Sequence, residues 1–247
     1  MVTQAHKTTT KVNAKVEQVR LNSPTRLIIY GGASKASDNS AFMYASKNVT
    51  ADYKNDLPIK STFLKEGAGE LVSIINGQAA NTIQSLDLFC HGDPDGVYFI
   101  IGASFNKNID MRGQALASNL YKSKFQAIWR GLNYATNKVK NQYSISELSL
   151  GSFTNESKIE IHGCNTGNGD NCFAAELSKA LYGAGKTRSV VIGHQTYANP
   201  NIGGTTSVTK QDYRHGKRAI FHNGKIVKIV NSSGRISANI INASLGG

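Results

Sequence analysis

The sequence predicts an α/β domain built on a mostly parallel sheet with helices on both faces. Two observations carry that expectation: short apolar runs of strand length alternate with segments that repeat their apolar residues at helical spacing, and several apolar runs stop at glycine. A parallel pair of strands needs a crossover between them, and the helix-like segments stand where such crossovers belong.

"RLIIYGG", from Arg26, reads as a buried strand ending in glycines. "SAFMYASKNVTADYKN" follows as a helix, and "KSTFLKEG" as a second strand. "GELVSIINGQAANTI" places Leu71, Ile74 and Ile75 at helical spacing before the strand "SLDLFCHG". The order β-α-β-α-β implies parallel strands. "VYFIIGASFNKNIDMRG" then reads as a hairpin or loop, and a long helix is expected from about Gln114 to Asn141, with Leu116, Leu120, Phe125, Ile128 and Leu132 on one side. The core pattern resumes with the strand "SKIEIHGC". The helix "NCFAAELSKALYG" follows, carrying Phe173, Leu177, Ala180 and Leu181 with Gly183 as a stop, and then the strand "RSVVIGHQTY". In "KRAIFHNGKIVKIV" an Asn-Gly pair between two alternating runs signals a hairpin.

Residues 1–24 are polar, without a convincing apolar period, and read as an arm. Residues 25–247 read as one domain with a helical insertion at about 97–150. With 247 residues, 40% of them hydrophobic and four prolines, a sizeable core is expected. No apolar run approaches the roughly 20 residues of a membrane span, and the N-terminus lacks the apolar centre of a secretory signal. The chain is therefore expected to be soluble and not exported by a cleaved signal.

The net charge of +12 arises from lysines and arginines along the whole chain, concentrated at "YKSKF", "GKTR" and "RHGKR". Such charge favours acidic partners, but most of it is ordinarily solvated surface, so nucleic acid is not the expected main partner. Three cysteines, Cys90, Cys164 and Cys172, lack the spacing of a disulfide framework or a zinc site. Cys90 reads as core and Cys172, at the start of a helix, as structural.

Chemistry concentrates at two strand ends. In an open parallel sheet the ligand site lies beyond the carboxyl ends of the strands. His91 ends one strand and Cys164 another. A histidine and backbone donors favour a thiolate nucleophile. Gly92 and Gly163 let the backbone approach a substrate closely, and an amide there, or that of Cys164, can face a developing oxyanion. The two strands are expected side by side, with His91 and Cys164 together at one edge.

"LDLFCHG" and "IEIHGC" together resemble the two signature blocks of the caspase-like cysteine peptidases of clan CD, and "HGCNTG" looks especially like bacterial CHAT-type members. The resemblance spans about Arg26 to Tyr197. It implies a caspase-like three-layer fold, with Cys164 as nucleophile, His91 as general base and acid, and the Gly92 and Cys164 amides as oxyanion hole. The resemblance also adds the expectation of a cytoplasmic setting, in its own cell or in a target cell into which the chain is delivered. His162, two residues before the cysteine, takes the position that lines the pocket for the residue before the scissile bond, and a histidine there does not support a preference for Arg or Lys. The 73 residues between His91 and Cys164 exceed a minimal domain of this kind and require an insertion between the two strands.

Other constellations say less. Asp93 and Asp95 stand beside His91 and can shape a substrate pocket, yet Asp-Pro-Asp-Gly is first of all turn chemistry. His162, His194, His215 and His222 match no metal template, and no phosphate-cradling loop or Gly-x-Ser-x-Gly elbow is present. The expected function is a cysteine endopeptidase acting on a protein substrate without metal or cofactor, in the manner of a bacterial effector or toxin with a regulatory or delivery partner. The competing readings are a non-catalytic caspase-like protein-binding module and a basic nucleic-acid-binding protein.

Overall fold

The computed structural model describes residues 23–31, 40–56, 58–100, 117–128 and 142–246. The central sheet has seven strands: β1 (Thr25–Gly31), β2 (Ile59–Leu64), β3 (Ile83–Phe89), β8 (Phe153–Ile161), β9 (Val190–His194), β10 (Lys217–His222) and β11 (Lys225–Asn231). Between β3 and β8 the chain forms β4 (His91–Asp93), β5 (Gly96–Ile100), β6 (Ala117–Tyr121) and β7 (Gln142–Ser144), which make a second, four-stranded sheet. Across the large sheet the order is β2-β1-β3-β8-β9-β10-β11. The first five are mutually parallel; β10 is antiparallel to β9, and β11 is antiparallel to β10.

Strand parity separates two faces. Leu27, Ile29, Leu86, Leu88, Ile159, Ile161 and Val191 pack under α2 (Ala68–Asn76) and α3 (Phe173–Gly183). The opposite face carries Ile28 and Phe89, covered by Phe42, Ala45 and Val49 of α1 (Ser40–Asp52) and by Tyr213. Further along that face Val190, Ile192 and Ile220 are covered by Ile236 and by α4 (Ala238–Ser244). The result is three layers with helices on both sides. Strands buried on two faces read as near-continuous apolar runs, which is why β1, β3 and β9 were legible.

Local chemistry explains the ends of several elements. In α1 the buried residues Phe42, Ala45, Ser46 and Val49 fall at i, i+3, i+4 and i+7. The β10–β11 hairpin turns on Asn223 (φ 47°) and Gly224 (φ 76°), the two consecutive left-handed residues that an Asn-Gly turn requires. α3 ends at Gly183, as expected, and the left-handed residue that follows the helix is Gly185 (φ 82°).

The helix expected from about Gln114 is corrected over its described part. Ala117–Tyr121 is a strand, antiparallel to β5 and parallel to β7. Leu120 sits in the core beside Val97 and Phe99, and the Ser118 hydroxyl receives the Ala68 amide at 2.9 Å. Ser and Asn at 118 and 119 are indifferent helix formers, so strand pairing with β5 decides the local structure over the i, i+4 spacing of two leucines. Phe125 and Ile128 are in a short helical turn, Lys124–Ile128, with both of these side chains exposed and Ala127 buried. Leu116 and Leu132 lie outside the described residues, as does all of the N-terminal arm except Ser23 and Pro24.

Candidate active site

The strands that deliver His91 and Cys164 are neighbours. β3 and β8 pair in parallel, with Leu86 opposite Ile159 and Leu88 opposite Ile161. The His162 amide extends that ladder by donating to the Leu88 carbonyl at 2.8 Å. His91 and Cys164 therefore leave the same carboxyl edge from adjacent strands, each half-buried.

Glycine makes the approach of the two ends possible. A Cβ on Gly92 would lie 2.6 Å from Thr166 Cγ2 and 3.2 Å from the Cys164 carbonyl oxygen; one on Gly163 would lie 3.2 Å from the His91 carbonyl oxygen. The backbones of His91–Gly92 and Gly163–Cys164 are thus in contact, with the Thr166 methyl wedged below. Thr166 is itself buried and donates from its hydroxyl to the Gly163 carbonyl at 3.0 Å. Asn165 adopts φ 55° and donates its amide to Thr196 O at 2.9 Å; Gly167 donates to His194 O at 2.8 Å. A Cβ on Gly167 would meet Gly193 O at 2.4 Å, so this turn is pressed against β9 as well.

The imidazole of His91 is oriented by aromatic packing. The Phe42 ring meets it edge-on, centroids 5.2 Å apart, and Phe42 in turn packs on Tyr213 at 5.4 Å. Burial lowers the His91 pKa from its usual value, which favours the neutral, proton-accepting ring. Cys164 Sγ faces the Ala198 carbonyl at 3.9 Å, on the segment that follows β9. That segment is anchored by Arg214, which is buried, grips Asp212 with Nε (3.0 Å) and Nη2 (2.6 Å), and reaches Asp52 of α1 with Nη1 (2.7 Å). A two-pronged grip of this kind fixes the guanidinium plane.

The other two cysteines are placed differently. Cys90 is buried between β3 and β4 with its thiol pushed up by burial, and Cys172 is fully buried at the N-cap of α3, its thiol likewise raised by burial. Asp93 forms the expected turn: its Oδ1 accepts the amides of Asp95 (2.6 Å) and Gly96 (3.1 Å) at the tip of the β4–β5 hairpin. Asp95 pairs with Lys122 at 3.0 Å.

His162 is fully buried and does not face solvent. Its ring stacks on Phe89 (4.3 Å, 17°) and its Nε2 meets Asp87 Oδ1 at 3.2 Å. It belongs to a polar cluster that the sequence reading missed: Asp87, Lys158, Glu160, His162, His194 and Arg218, all buried on the face that α1 and Tyr213 cover. Glu160 accepts from Lys158 Nζ (3.2 Å) and from Arg218, and Lys158 donates to Tyr53 at 2.9 Å. Burial alone would raise the Glu160 pKa, but Lys158 and Arg218 hold it well below the usual carboxylate range. The alternation Lys158, Glu160, His162 in "SKIEIHGC" was the available signal, and it reads most simply as a solvated strand face.

Atoms of Asp87, Glu160 and His162 come within 4.8 Å of one another, a spacing that metal ligands also show. Here Glu160 already faces two cations, so a metal ion would be opposed by Lys158 and Arg218. The arrangement is a buried ion-pair network. No helix of the described residues is long and apolar enough to cross a membrane. No protein-family model matches the sequence, and a comparison with characterised proteins finds no match.

Proposed function

We propose that the protein is a cysteine endopeptidase of caspase-like architecture, with Cys164 as nucleophile and His91 as general base and acid. The observation that carries this reading is the contact between His91–Gly92 and Gly163–Cys164 at the carboxyl edge of two adjacent parallel strands. A partly exposed cysteine and a neutral-leaning histidine, each flanked by glycine on strand ends in backbone contact, is the arrangement from which thiol acyl transfer can be built.

The chemistry follows from those groups. His91 accepts the Cys164 proton, and the thiolate attacks a peptide carbonyl carbon. Negative charge collects on the carbonyl oxygen, for which the Gly92 and Cys164 amides are the nearest backbone donors in the proposal. Collapse of the tetrahedral adduct breaks the C–N bond, and His91 returns the proton to the departing amine. Water, deprotonated by the same imidazole, then hydrolyses the thioester. In this reading Asp93 and Asp95, on the β4–β5 turn that follows His91, contact the substrate from the side; their position on that turn supports it.

The direct test is mass spectrometry of a peptide library after incubation with the wild-type chain and with Cys164→Ala. New termini that appear only with wild type, at a consistent sequence, support the reading. Identical peptide profiles from the two proteins, with both folded, overturn it.

A further inference from the structure

A second cavity, of about 170 Å³, opens at the other end of the sheet. Its walls come from the starts of β1, β3 and β9, from β8, and from the segment that leads into α4. Four cations line it: Arg26, Lys158, Arg188 and Arg235. Glu156 is the one carboxylate in the wall, and Asn242 also lines it. Lys158 and Glu156 precede Cys164 by six and eight residues, roughly 20 Å or more at 3.3 Å per residue of strand. A ligand here does not touch the proposed dyad.

The cations outnumber the acids that serve them. Asp56 is shared, pairing with Arg26 Nη2 at 3.3 Å and with Arg235 Nη1 at 2.8 Å. Glu156 engages Arg188 only through Nε, at 3.1 Å, in an exposed bridge of the kind that contributes little. Arg26 Nε is buried without a partner among the described residues. The guanidinium groups of Arg26 and Arg235 both rest on the ring of Tyr53, at 4.8 and 4.5 Å, so two of the donors are held in place before any ligand arrives. Planar, preorganised guanidinium groups around a small space recognise tetrahedral oxyanions by paired N–H donation. At about 30 Å³ per water, the cavity has room for roughly six waters, enough for a phosphate group and part of what carries it.

We propose that this cavity binds a phosphate-type oxyanion of a small molecule, held by Arg26, Arg188 and Arg235. Because Arg235 and Asn242 belong to the C-terminal segment, the ligand ties that segment to the strand starts. Anything that binds only the folded state raises the melting temperature, by an amount that grows with the logarithm of ligand concentration above Kd.

Pyrophosphate is the probe. Thermal melts of the full chain are run in a pyrophosphate series against sodium chloride at matched ionic strength, with ³¹P line broadening of pyrophosphate as a direct readout of binding. The expected result is a rise in Tm beyond that in chloride that grows with the logarithm of pyrophosphate concentration, with apparent affinity falling by about tenfold or more in Arg188→Gln and in Arg235→Gln. Arg188 is exposed, so its variant retains the fold. Equal shifts in pyrophosphate and chloride overturn the proposal, as does an unchanged affinity in both variants. Peptidase activity enters neither readout.

Discussion

Gly92 and Cys164 are in backbone contact: a methyl group on Gly92 would stand 3.2 Å from the Cys164 carbonyl oxygen and 2.6 Å from Thr166 Cγ2. Gly92→Ala forces apart the two strand ends that carry His91 and Cys164. Overpacking of this kind costs about 1–3 kcal/mol. We expect a lowered urea midpoint and, because the dyad is displaced, a larger loss in kcat/KM than the stability change alone produces. Gly151→Ala, where no atom lies within 4 Å of the added methyl, is the control and leaves activity unchanged.

The sheet and the two strand ends were readable because buried parallel strands are apolar on both faces and because His-Gly and Gly-Cys interrupt that pattern. The Asn223-Gly224 turn was readable for its special backbone. The Gln114 helix was misread because Leu116 and Leu120 fit a helical period, while what sets Ala117–Tyr121 is its pairing with β5, a non-local term. The ion-pair network was hidden for a related reason. Lys158, Glu160 and His162 look solvated until α1 and Tyr213 are placed over them, and nothing local announces that Arg218, 58 residues on from Glu160, supplies the counter-charge.

Acid destabilises the fold in two stages. Burial first, then the proximity of His162, lowers the His194 pKa to about 3. Above the unfolded value near 6.5 both states are neutral and this group contributes no pH dependence. Between pH 6.5 and about 3 the unfolded chain binds the proton and the folded one does not, so stability falls as pH falls. The lowered pKa of His91 acts in the same direction. Glu160, held below its usual range, adds a further loss below about pH 4.5, where the unfolded carboxylate takes up its proton. Urea titrations at pH 7.5, 6.5, 5.5, 4.5 and 3.5 check the sequence. In His194→Gln the slope between pH 6.5 and 4.5 is expected to shrink; a slope equal to wild type rejects the assignment.

Arg218→Met leaves Glu160 buried with Lys158 as its remaining cation and also removes the donors to Ser232 O (2.8 Å) and Gly234 O (3.1 Å). Removing one partner of a buried pair costs about 3–5 kcal/mol. The double change Arg218→Met with Glu160→Gln removes the buried carboxylate charge but also takes the ion-pair partner from Lys158, and it is expected to recover part of the loss, with the new amide oxygen still able to accept from Lys158. A double variant that is less stable than Arg218→Met assigns the loss to the two carbonyl contacts instead.

The three thiols are expected to differ in reactivity, and that difference separates the proposed nucleophile from the structural cysteines. Cys90 and Cys172 are buried and their thiols are pushed up by burial, so at neutral pH they present neither access nor thiolate. Cys164 is half-exposed at the loop edge beside His91. Limiting iodoacetamide at pH 7 is therefore expected to modify one site in the folded chain and three after denaturation, with peptide mapping placing the first at Cys164. If the proposed dyad holds, His91→Ala slows that labelling at least several-fold while the folded circular dichroism spectrum is retained, since the imidazole lies at a strand end and what it gives up is an edge contact with Phe42. Peptide cleavage should fall about 10³-fold or more in both Cys164→Ala and His91→Ala, and remain within a few-fold of wild type in Cys172→Ala. Labelling that starts at Cys172, or a folded Cys172→Ala protein without activity, identifies a different nucleophile. Labelling of Cys164 that is indifferent to His91 leaves an accessible thiol at a strand end with no base, and the dyad fails.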